Sequence, residues 1–121
     1  MDDRLGTVRP LIVPEVVRLP TEIDITNADS VGAELRAAFR PGIAVVIADM
    51  TRTTFCDSAG ARNLLLANDK AAERQAELRL ALPSATVLRT LTVMGLDRVL
   101  RIYPSLESAL TSERSPHTNP Q

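Results

Sequence analysis

The chain has 121 residues, 45% apolar and 24% charged, with a formal net charge of −1. This is the size and balance of one globular domain, and its core must be aliphatic because only Phe39, Phe55 and Tyr103 are aromatic. The near-neutral charge gives no electrostatic case for direct nucleic-acid binding, no apolar run is long enough for membrane insertion, and the single cysteine, Cys56, excludes an intrachain disulfide.

Residues 1–10 are polar, lack the basic start and apolar run of a signal peptide, and are expected to form a flexible arm in a cytoplasmic protein. Leu11 to Leu19 reads as a strand, interrupted or at an edge because Pro14 cannot donate to a ladder. Pro20-Thr21 turns the chain. A helix is expected from about Asn27 to Arg40, capped by Thr26 or Asn27, with Asp29 in its positive first turn. Ala28, Val31, Leu35 and Phe39 form its apolar stripe, and Pro41-Gly42 stops it.

Ile43 to Ile47 is a nearly unbroken apolar, β-branched run, the pattern of a central strand covered on both faces. Asp49, Thr51, Thr53 and Thr54 follow, and Asp57-Ser58-Ala59-Gly60 opens a helix to about Gln75. Gly60, Ala61, Leu64, Leu65, Ala67, Ala71 and Ala72 share one side of that helix, with Asn68 among them. Ser58, Arg62 and Leu66 stack on the opposite, exposed side.

Leu78, Leu80 and Leu82 alternate with Arg79 and Ala81, a strand pattern. Pro83-Ser84 starts a helix with Val87, Leu88, Leu91 and Met94 as its stripe, and Gly95 ends it. Val99 to Tyr103 is a short last strand, followed by an amphipathic helix through Leu106, Ala109 and Leu110. Residues 112–121 are expected to be a disordered tail, which leaves one domain over residues 11–111. The alternation of strands and helices predicts an α/β fold: a small mixed, mostly parallel sheet with about four helices.

The machinery of an enzyme is missing from the pattern. The only histidine, His117, lies in the tail, the five glycines are scattered, and no glycine-rich phosphate loop occurs. Nothing implies a metal or a cofactor. Ser58 stands out instead. In open α/β sheets, ligands and partners meet the protein outside the carboxyl ends of the strands. Ser58 sits at such a strand-to-helix corner. Its hydroxyl either caps the helix or is presented to a partner. Cys56 reads as a small buried hydrophobe.

The stretch DMTRTTFCDSAGARNLLLA resembles the signature of the STAS domain, seen in bacterial anti-sigma factor antagonists. Asp49, Thr51, Phe55, Asp57, Ser58 and Gly60 match that pattern in place. VVRLPTEID, from Val16 to Asp24, resembles the family's second strand, and LTVMGLDRVLRIYPSLESAL, from Leu91 to Leu110, resembles its ending. The resemblance implies a non-enzymatic anti-sigma factor antagonist that regulates transcription. Unphosphorylated, it binds an anti-sigma factor with a GHKL serine-kinase domain and frees a sigma factor. Phosphorylation at Ser58 ends that binding, and a metal-dependent serine phosphatase restores it.

Carried over residue by residue, the resemblance places Asp24 near the docking surface and Thr51 and Asp57 in the loop around Ser58. Thr26, Gly60, Arg62 and Leu66 complete the candidate partner-binding set. Ala59 replaces the family's second hydroxyl residue, and Arg62 stands where a small residue is usual. Arg62 lies one turn from Ser58, where it either pairs with a phosphate or is simply solvated. The alternative reading is a constitutive STAS docking subunit, such as that of a lipid-transport ABC ATPase, without phosphorylation.

Overall fold

The computed structural model describes residues 13–113. The arm expected over residues 1–10, and the tail expected over 112–121 beyond its first two residues, lie outside the described residues. Elements follow in the order β1 (Glu15–Arg18), β2 (Glu22–Ile23), α1 (Ala28–Ala37), β3 (Val45–Asp49), β4 (Phe55–Cys56) and α2 (Ser58–Glu73). Then come β5 (Glu77–Ala81), α3 (Ala85–Val93), a 3₁₀ turn (Leu96–Arg98), β6 (Arg101–Tyr103) and α4 (Leu106–Thr111).

The main sheet has the order β1-β3-β5-β6, and every pairing in it is parallel. Each crossover therefore steps in the same direction. With right-handed connections, α1, α2 and α3 must then lie on one face. The core agrees. Val46, Ala48, Leu78 and Leu80 point into a large cluster shared with Leu35, Leu64, Ala67 and Leu91. Val45, Ile47 and Ala81 point to the other face, where Ala109 and Leu106 of α4 cover them.

Strand β5 departs from its sequence reading. Its leucines alternate with Glu77, Arg79 and Ala81, which looks like a sheet with one wet face. Instead all five residues are buried, Glu77 and Arg79 each to 2% exposure. Arg79 Nε donates to Glu77 Oε2 at 2.9 Å, and Arg79 Nη1 donates to the carbonyl of Ala109 in α4 at 2.7 Å. Arg101 Nε lies 3.7 Å from the same Glu77 oxygen, and the Arg79 guanidinium stands 5.6 Å from the centre of the Tyr103 ring. Buried charges persist only when paired and hydrogen-bonded, and here they are both.

Helix α1 starts as expected but ends at Ala37, because the chain tightens into bonds from Ala38 N–H to Leu35 O and from Phe39 N–H to Arg36 O. Neither Thr26 nor Asn27 caps it through a side chain. Asn27 occupies the cap position with its amide turned back, donating to Glu22 O at 2.8 Å and accepting from Asp24 N–H at 2.9 Å. The Asp24 carbonyl receives Asn27 N–H and Ala28 N–H instead. Gly95, with φ of +76°, ends α3 as its position suggested, and the 3₁₀ turn after it delays the last strand to Arg101.

The charged pair under α4 yields a stability prediction. Arg79→Met removes the closest ion-pair partner of the buried Glu77 and should cost about 3 kcal/mol. A Glu77→Leu/Arg79→Leu double variant should lose less than that single variant. Urea unfolding of the three proteins checks this; a double variant weaker than the single would show that the pair is a net source of stability.

Candidate functional site

A second, two-stranded parallel sheet builds the site. β2 pairs with β4, Glu22 opposite Phe55 and Ile23 opposite Cys56. The 50–54 crossing is laid against the chain before β2. Thr53 Oγ1 donates to Pro20 O at 2.8 Å, and Thr54 N–H donates to Thr21 O at 2.8 Å. Asp57 N–H then donates to Ile23 O at 3.1 Å, which closes the ladder. Paired strands run about 4.8 Å apart. Asp24, just past Ile23, and Asp57-Ser58, just past Cys56, therefore emerge side by side.

Gly60 sets how closely α2 approaches this small sheet. A Cβ there would lie 2.7 Å from Cys56 Sγ and 2.8 Å from Ile23 Cγ2. Gly60, placed with the docking residues by its sequence pattern, is buried. It serves the corner from inside, by letting the first turn of α2 sit on Ile23 and Cys56.

Two neighbouring residues at the helix start had competing claims to the cap. Asp57 takes it: its Oδ1 accepts from Gly60 N–H at 3.0 Å, and its carbonyl accepts from Ala61 N–H at 2.9 Å. Ser58 is the first helical residue, exposed, and its hydroxyl bonds to none of the described residues. The side chain free to meet another molecule is therefore that of Ser58.

Asp24 Oδ1 accepts from Thr26 N–H at 2.9 Å and from Thr26 Oγ1 at 2.5 Å. The Thr26 hydroxyl first, and its N–H second, hold the Asp24 carboxyl below the ordinary value of 3.8. Thr51 is arranged likewise about Asp49, donating to Asp49 Oδ1 from its N–H at 3.0 Å and its Oγ1 at 2.6 Å. Thr51 thus sits at the β3 end of the crossing, while Asp24, Thr26, Asp57 and Ser58 gather at the other end. Arg62 and Leu66 continue from Ser58 along the exposed side of α2, with Leu66 37% exposed. Ile25, 80% exposed, and Phe55, 49% exposed, add apolar surface next to the corner. Phe55 belongs to the matched signature, whereas Ile25, between Asp24 and Thr26, was not marked in the sequence. Cys56 is buried, and burial first, with the Asp57 charge second, pushes its thiol up to about 11.

Asn63 is a residue the helical pattern missed. It replaces Ala72 on the buried side, because the buried arc of α2 is rotated toward α1. Its Nδ2 donates to Asp29 Oδ1 at 3.2 Å and to Ala59 O at 3.1 Å, and Arg36 Nη1 donates to its Oδ1 at 3.5 Å. Gly32 makes room for it; a Cβ there would lie 2.0 Å from Asn63 Oδ1. Among the described residues no cluster of His, Cys, Asp or Glu has the arrangement of a metal site, and no helix is long and apolar enough to cross a membrane.

Parallel α/β order and a strand-to-helix corner with an exposed serine beside a capping aspartate make this a small α/β domain with its candidate site at that corner. The chain belongs to the STAS domain family, whose model matches residues 8–109. No curated protein matches it in sequence. Among solved structures it is similar to a sulfate transporter family protein from Wolinella succinogenes, at 22% identity and a TM-score of 0.72, over 85% of each chain. It is also similar to an anti-sigma factor antagonist from Mycobacterium paratuberculosis, at 24% identity and a TM-score of 0.67, over 81% of this chain and 83% of that one. The Bacillus cell fate determinant SpoIIAA in its phosphorylated form superposes at 22% identity and a TM-score of 0.59, over 84% of this chain and 92% of its own.

The division of labour between neighbours is measurable. Asp57→Ala should cost about 1 kcal/mol through the lost cap, while Ser58→Ala should change stability by less than about 0.5 kcal/mol. Thermal unfolding compares them, and a Ser58→Ala loss as large as that of Asp57→Ala would reassign the cap. In a second test, Thr26→Val should raise the Asp24 pKa toward the ordinary 3.8. A lowered pKa means the Thr26 bonds stabilise the fold above the ordinary value and are lost as pH falls through the folded one. A carboxyl NMR titration that leaves Asp24 unmoved in Thr26→Val would locate the cause elsewhere.

Proposed function

We propose that this chain is a cytoplasmic anti-sigma factor antagonist whose partner binding is switched by phosphorylation of Ser58. Its partner is an anti-sigma factor with a GHKL serine-kinase domain, and a metal-dependent serine phosphatase reverses the modification. The observation that carries this reading is the exposed, unengaged hydroxyl of Ser58 beside a helix cap supplied by Asp57. Asp24, Thr26 and Asp57 frame the docking corner, Arg62 and Leu66 extend it along α2, Thr51 borders it, and Gly60 supports it from beneath.

The chemistry is a phosphoryl transfer performed by the partner. Ser58 Oγ bonds to the γ-phosphorus of a nucleoside triphosphate held there. The bond to the departing diphosphate breaks, and the hydroxyl proton passes to a base on the partner. The phosphate brings about −1.5 to −2 charge. At the positive end of α2 that charge is tolerated, favourable by about 0.3–1 kcal/mol. Across an interface, facing like charge, it costs several kcal/mol. The modification therefore opposes the interface and spares the fold. The solved antagonist and the phosphorylated SpoIIAA among the similar structures support this choice.

The sulfate transporter family protein supports a second reading, a constitutive docking subunit of a larger complex such as a lipid-transport ABC ATPase. It would use the same corner without phosphorylation. Retrieval of partners from the native cytoplasm separates the two. Wild type and Ser58→Ala should both retain a GHKL-type kinase, and Ser58→Asp should lose at least about tenfold in affinity, the ratio for 1.4 kcal/mol. Equal retention by all three would favour the static docking subunit.

A further inference from the structure

We propose that Arg62 is the internal counter-ion of the phosphate on Ser58. This deepens the function proposed above and rests on Ser58 as the phosphoacceptor. Both residues are exposed and stand one turn apart on α2. Helical Cα–Cβ bonds tilt toward the N-terminus, so the Arg62 side chain leans back over the turn that carries Ser58. An acid placed four residues before a base is also the favourable order on a helix.

The carboxylates of the corner are already engaged. Asp57 Oδ1 receives Gly60 N–H, and Asp24 Oδ1 receives both donors of Thr26. Arg62, like several other surface arginines, makes no ion pair or hydrogen bond with the described residues, and of these it is the one that stands a turn from Ser58. It is a cation held within one turn of the acceptor and committed to none of the described residues. A guanidinium matches two phosphate oxygens with two parallel N–H donors. Once Ser58 carries the group, Arg62 closes across the first turn of α2. The modified corner then differs from the free one in shape as well as charge, and the phosphate it shows is partly neutralised.

The test uses the full chain with phosphoserine installed at position 58 during synthesis, so no kinase is needed. Phosphorus NMR follows the second ionisation of the group, ordinarily near pH 6. Wild type should titrate about 0.2–0.4 of a unit below Arg62→Ala, the size expected of a helical ion pair. Arg62→Lys should fall between them, since it keeps the charge and loses the fork, and Arg62→Gln should follow Arg62→Ala. Coincident curves for wild type and Arg62→Ala would overturn the pairing. That result would leave Ser58 as acceptor untouched. Absence of phosphate at Ser58 in the native cell would instead overturn the functional reading and leave the pairing as measured.

Discussion

The corner depends on a pairing of two-residue strands. β2 and β4 are too short to persist alone, since an isolated two-stranded ladder is marginal in water. They hold because Ile23 and Cys56 are buried and because Thr53, Thr54 and Asp57 each bond back to the segment before or within β2. Gly60 then lets α2 settle on the pair. Residues far apart in the chain, Asp24 and Ser58, become neighbours through this ladder alone. A larger residue at position 60, or a loss of the Ile23 contact, would separate the two halves of the site without touching either.

Two buried polar devices flank the sheet, and they work differently. On the face covered by α1, α2 and α3, Asn63 ties Asp29, Ala59 and Arg36 together and fixes how α1 lies against α2. Its bonds span parts that already touch, so it sets orientation more than cohesion. On the other face, Glu77 and Arg79 anchor α4 through the Ala109 carbonyl. Here the charges are dry, and the arrangement persists because each member would be costly alone.

Much of this was legible in the residues. The β-branched run before Asp49 marked the central strand, Gly95 marked a helix end, and Asp-Ser-x-Gly marked the corner. What stayed hidden had physical causes. Strands of two residues carry no periodicity, so β4 left no pattern to read and β2 showed only through the family resemblance of Val16 to Asp24. Charge at every second position of β5 signals solvent unless the charges pair with each other, which Glu77 and Arg79 do. Asn63 lay outside the apolar side read for its helix, and only the close approach allowed by Gly32 shows why it belongs inside. Asp57 and Ser58 are both good capping residues; geometry alone assigns the cap to Asp57.

That assignment bears on how such a domain changes over time. Under the proposed function, scaffold and signal are carried by adjacent codons, Asp57 for the cap and Ser58 for the switch. Because the cap bond is made by Asp57, exchange of Ser58 should leave the helix that presents it in place, so under the proposed function a lineage could lose the serine, or acquire one, in a single step. Position 57 is confined to the few side chains that can accept the Gly60 N–H. Drift at these two neighbours should therefore be unequal, with the quiet residue the more constrained and the reactive one the more readily exchanged.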